Sequence, residues 1–74
     1  MLDLKPGMLI EVISPVLTED NRIWHLLILE EEPAHWVTRM VYNNTKKPKD
    51  YFRIEKLYLE NRSRANQLRI LSEI

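Results

Sequence analysis

The 74-residue sequence predicts a mainly β fold, a small antiparallel barrel or bent sheet of four to five strands with a possible short C-terminal helix. Two observations carry this expectation. Short runs rich in β-branched and aromatic residues recur along the chain, separated by polar and proline-containing stretches. The stretch Ile23-Trp24-His25-Leu26-Leu27-Ile28-Leu29-Glu30 is too short and too apolar on all sides for a surface helix. A chain of this length forms one domain, residues 1–74.

The elements follow in order. Leu4-Lys5-Pro6-Gly7 has the composition of a tight turn, and the apolar stretch behind it predicts a strand over about 8–13, stopped by Ser14-Pro15. Thr18-Glu19-Asp20-Asn21 reads as a polar loop, and a second strand is expected over 23–30. Pro33 interrupts it, a third strand is expected over 36–42, and residues 43–49 form a polar connection. Residues 51–59 are rich in aromatics, which favours a fourth strand. A helix stays open, because no Gly or Pro follows Pro48 and Asp50 can act as a cap. Its stripe would hold Tyr51, Ile54, Leu57, Tyr58, Ala65 and Leu68, leaving Phe52, Leu59 and Ile70 outside, so the strand is preferred. Residues 61–66 read as a turn and 68–74 as a last strand or a short closing helix.

The opening Leu4-Lys5-Pro6-Gly7-Met8-x-Ile10-x-Val12 resembles the first strand of SH3-like barrels, including the Tudor and KOW types. That resemblance implies an SH3-like form of the predicted barrel.

The formal net charge is zero, yet the charges are divided unevenly. Residues 1–37 carry seven acids and two bases, a balance of −5, whereas residues 38–74 carry nine bases and four acids, a balance of +5. Such asymmetry points to a polyanionic partner or to a charge-steered protein contact. The chain has no cysteine, which excludes disulfides, thiolate metal sites and thiol nucleophiles. A domain this small without such staples has a thin stability margin, and self-association or a partner would supplement it. No apolar run approaches the ~20 residues that a membrane-spanning helix needs. The first fifteen residues do not have the pattern of a secretory signal, so a cytoplasmic location with no membrane contact is expected.

A hairpin of the second and third strands, turning between Pro33 and Ala34, pairs positions that sum to 67. Leu26 then faces Val41, Ile28 faces Arg39 and Trp24 faces Asn43. On the opposite side His25 faces Tyr42, Leu27 faces Met40, Leu29 faces Thr38 and Glu31 faces Trp36. Both faces are apolar, whereas a one-sided sheet shows polar residues outside. Either the C-terminal segment covers the second face, or Leu27, Leu29, Trp36, Met40 and Tyr42 form an exposed protein interface. Trp36, close to Pro33, is the expected anchor, and a core position is its alternative.

The basic segment offers a second chemistry. Lys46, Lys47 and Lys49 lie in the connection, Arg53 on the next strand, and Arg62 and Arg64 in the following turn. Tyr42, Tyr51, Phe52 and Tyr58 are interleaved with them, so phosphate contacts with base stacking would suit nucleic acid. Zero net charge and a sequence pI of about 6.7 argue against a dedicated nucleic-acid module. Glu30, Glu31 and Glu32 could pair with these bases instead.

Catalysis is not expected. His25 and His35 fall at opposite ends of the hairpin, and there is no Gly-rich phosphate loop and no nucleophile elbow. No cofactor or metal is anticipated. The sequence therefore predicts a small non-catalytic protein-interaction or assembly domain, binding a protein partner or a second copy of itself. A nucleic-acid-binding accessory or regulatory protein is the alternative.

Overall fold

A computed structural model describes residues 2–14, 22–44 and 51–73 of the chain. Five strands and one helix follow in order: β1 (Leu9–Ser14), β2 (Arg22–Glu31), β3 (His35–Asn43), β4 (Phe52–Glu55), α1 (Lys56–Arg64) and β5 (Leu68–Ser72). The strands form one antiparallel sheet in the order β4-β3-β2-β1-β5. Its outer strands, β4 and β5, do not pair with each other, so the sheet stays open and takes the bent-sheet form. The turn and the strand expected over residues 4–12 are present. Barrel closure is not seen among the described residues.

The entry turn shows its chemistry directly. The Met8 N–H donates to the Lys5 carbonyl at 3.1 Å across Pro6 and Gly7. Gly7 has φ 94°, a value that a side chain would penalise, and proline followed by such a glycine is the type II pattern. Gly7 and Met8 then bracket Ile28, whose carbonyl and N–H take the bonds at 2.8 and 2.9 Å. At the far end of β2, Ile23 bonds both the backbone and the side chain of Asn44, which ties the β2–β3 pair beyond its last ladder residue.

The predicted hairpin is correct in register at both ends and off by one in the middle. Trp24 and His25 face Asn43 and Tyr42, and Glu30 and Glu31 face Val37 and Trp36. Between them Leu26, Leu27 and Ile28 face Met40, Arg39 and Thr38, because the register shifts at Val41 and again at Leu29. Each irregularity inserts one residue and reverses the alternation of faces. Met40 therefore sits across from Leu26, not Leu27, and Trp36 shares a face with Leu26 and Ile28.

That inner face holds the core. Ile10, Val12, Leu26, Ile28, Trp36, Met40 and Ile54 are buried there with Leu4 and Met8 from the N-terminal segment. Leu59 of α1 has no exposed surface and joins the same cluster, with Tyr58 packed against it.

Residues 51–59 are neither all strand nor all helix. Phe52 and Ile54 point inward with period two, and the chain enters α1 at Lys56 without a connecting residue. The Lys56 N–H bonds the Ala34 carbonyl at 3.0 Å, fastening this junction to the β2–β3 loop. Phe52 and Leu59 are thus both accommodated, and Arg62 and Arg64 belong to the helix, not to the turn expected at 61–66. The helix ends in a Schellman arrangement. Asn66 adopts φ 59°, its N–H bonds the Ser63 carbonyl at 3.0 Å, and Gln67 N–H bonds the Arg62 carbonyl at 2.7 Å. Arg62 also donates to the Gln67 side-chain oxygen at 2.9 Å, a polar clasp where such motifs usually carry an apolar contact.

Candidate functional site

The outer face of the sheet follows from the same pairings. Directly opposed residues share a side, so Leu9, Leu27 and Arg39 form one row and Ile13 and Ile23 another. Val37 stands beside Arg53 on the β3–β4 flank. Leu9, Ile13, Ile23, Leu27 and Val37 are half-buried, while Val41 at its bulge is 48% exposed. Helix α1 packs on the inner side through Leu59, and no described element crosses the outer one.

A polar row divides this apolar surface. Glu11 Oε2 lies 2.9 Å from His25 Nε2, and Glu11 Oε1 lies 3.1 Å from an Arg69 guanidinium nitrogen. The His25 ring meets Tyr42 at 4.9 Å between centroids. All three contacts follow ladder register, so Arg69, Glu11, His25 and Tyr42 cross β5, β1, β2 and β3 in one line. The Glu11 side chain is 16% exposed and Arg69 is 69% exposed, so the carboxylate sits under a largely solvated cation. The sequence marks this row only faintly: Glu11 and His25 are the single polar residues within two otherwise apolar stretches, Met8–Ile13 and Ile23–Leu29.

The five residues expected to form an interface separate into three groups. Leu27 and Tyr42 lie on the outer face, Leu27 half-buried and Tyr42 44% exposed. Leu29 occupies a bulge and is half-buried. Trp36 and Met40 are corrected to core positions, each 6% exposed, because the two bulges turn the expected face inward around them. The Trp36 ring also lies beneath Lys56 Nζ, 5.0 Å from its centroid, and Lys56 in turn contacts Glu31 at 2.6 Å.

Of the basic candidates, Lys46, Lys47 and Lys49 lie outside the described residues. Arg53 pairs with Glu32 at 2.9 Å, so the acidic hairpin end meets bases of β4 and α1 within the molecule. Arg62 lies over the Tyr58 ring at 5.4 Å and donates to Gln67, while Arg64 is exposed on the helix. Arg53 lies on β4, while Arg62 and Arg64 both lie in the last turn of α1.

A shallow cleft of about 360 Å³ runs beside β4, lined by Trp24, His35, Phe52, Arg53, Ile54, Glu55 and Tyr58. Its aromatic rings pack on each other, Trp24 edge-on to Phe52 at 6.4 Å and stacked with Tyr58 at 6.5 Å. Among the described residues no group of three His, Asp or Glu side chains is placed to hold a metal, and no helix is long and apolar enough to cross a membrane. Comparison of the chain with protein-family models, curated proteins and solved structures gave no match.

Proposed function

We propose that this chain is a small non-catalytic interaction domain that binds a protein partner through the outer face of its sheet. The observation that carries the reading is an apolar strip of Leu9, Ile13, Ile23, Leu27 and Val37 that the described chain leaves uncovered. The polar row through Glu11 and His25 would set the orientation of a partner, since charged and polar groups supply specificity more than raw affinity. Arg39, Arg53 and Arg69 balance Glu11, Glu30 and Glu55 around the strip, which suits a protein surface of mixed charge better than a polyanion. The nucleic-acid alternative draws less support, because Arg53 and Arg62 already have partners within the molecule.

The test places a photo-cross-linking residue at Val41 on the outer side, and separately at Leu57, which is 60% exposed on the helix. Adducts formed in cells from position 41, absent from position 57 and lost on adding Leu27→Asp in a folded protein, support the reading. Equal labelling from both positions, or none from either, overturns it.

A further inference from the structure

Among the described residues, edge strand β4 pairs with β3 on one side only. Two backbone bonds show which of its groups that pairing uses. The Lys56 N–H bonds the Ala34 carbonyl, and the Glu32 N–H bonds the His35 carbonyl. Alternate residues of an antiparallel ladder exchange bonds, so Trp36 and Thr38 bond across to Ile54 and Phe52, while His35 turns to β2. The backbone groups of Arg53 and Glu55 therefore point away from β3, onto the open side. Beside them lies the cleft of about 360 Å³ whose apolar lining includes Phe52, Ile54 and Tyr58.

The side chains of this edge are complementary to their own copy. The β3–β4 ladder has no register shift, so Arg53 and Glu55 stand on one face with Ile54 between them on the other. We infer that β4 is the docking edge for a second copy of this chain, whose own β4 adds antiparallel with Ile54 on the two-fold axis. Arg53 then stands opposite Glu55 of the second copy, and Glu55 opposite its Arg53. The same residues exchange the outward backbone bonds. Opposite charges facing across antiparallel strands stabilise the pair, and an isologous contact must be complementary to itself in this way. Glu55 is exposed and has no side-chain partner among the described residues. Arg53 touches Glu32 through Nε and keeps its terminal nitrogens free to donate from a side chain 66% exposed. Short length and charge ordinarily keep an edge from joining another strand, but here the alternating signs exclude unlike edges and admit this one. Edge strand β5 offers no such pair, because its register shift at Leu71 turns Arg69 and Glu73 to opposite faces. The zero net charge of the chain removes long-range repulsion between copies. The inference is independent of what the outer face binds.

Sedimentation near millimolar concentration provides the first test, since a contact of one four-residue strand belongs to the small, weak class of interfaces. A dimer is expected, and the amide resonances of residues 53–55 should shift as concentration rises while those of 69–72 do not. Arg53→Glu alone and Glu55→Arg alone should each weaken the dimer roughly tenfold at low salt by placing like charges in apposition. The double variant carrying both changes should recover it, because every facing pair is then complementary again. Loss of the Arg53–Glu32 contact alone would not be repaired in this way. A wild-type chain that stays monomeric, shifts that fall on β5 instead of β4, or a double variant no better than the single ones would each overturn the inference. The wild-type resonances keep the test decisive if a charge variant fails to fold. Failure here would leave the outer-face reading standing, because the Val41 cross-link does not depend on β4. An adduct of two copies from Leu57, just beyond β4 in sequence, has twice the mass of the chain and is read apart from a partner adduct.

Discussion

Thr38 donates its hydroxyl to the Phe52 carbonyl at 3.0 Å, from a side chain that has no exposed surface. It is the buried polar residue among the described core positions, and it bonds the residue directly opposite it at the start of β4. Val at this position keeps the shape and removes the donor. Thr38→Val is expected to lower stability by about 1–2 kcal/mol in urea unfolding, because a carbonyl loses its buried partner. A neutral result would mean that the Phe52 carbonyl is satisfied without Thr38.

Leu59 and Leu57 test how α1 is held. Leu59 has no exposed surface within the core cluster, whereas Leu57 is 60% exposed two positions away. Leu59→Ala should cost about 2–5 kcal/mol by loss of burial and a residual cavity. Leu57→Ala should remain within about 0.5 kcal/mol of the parent. Equal losses in thermal or urea unfolding would contradict the inward placement of the helix.

Asn66 tests the helix end. Its φ of 59° is left-handed, a region that asparagine and glycine tolerate and β-branched residues do not. Asn66→Val is expected to destabilise the domain by about 1–2 kcal/mol, while Asn66→Gly leaves stability unchanged or raised. The comparison is read by denaturant midpoint with both variants at the same slope.

Val41 separates binding from folding. It occupies a bulge and is nearly half exposed, so Val41→Asp should change stability by at most about 1 kcal/mol, the span of strand preferences. The same change introduces a charge beside the apolar strip and should abolish outer-face cross-linking from a probe placed at Leu27. Retained cross-linking in the folded variant would count against that face as the contact surface.

Much of the fold is legible in the sequence because turn residues and β-branched runs alternate. Pro6-Gly7 marks the entry to β1, and Pro33 marks the β2–β3 turn. The two register shifts of the β2–β3 pair are not legible. Leu26 to Leu29 are all apolar, so no polar residue indicates which of them leaves the alternation, and Val41 is as good a strand residue as its neighbours. Trp36 and Met40 were misplaced for this reason. The passage from β4 to α1 was hidden differently. A period of two changes to a helical period between Glu55 and Lys56 with no glycine or proline to mark it, so strand and helix readings each fitted half the segment. Glu11 and His25 were visible as isolated polar residues, but only the β1–β2 and β1–β5 registers bring them into line with Arg69.

The direct joint between β4 and α1 makes two structural events into one. Because Lys56 begins the helix and also bonds the Ala34 carbonyl, amide protons of residues 52–60 are expected to exchange together, as one opening unit, in a hydrogen-exchange experiment. When that unit opens, β4 leaves the sheet with it and β3 becomes the outer strand, so Thr38 loses its Phe52 partner and Trp36 its Ile54 neighbour in the same event.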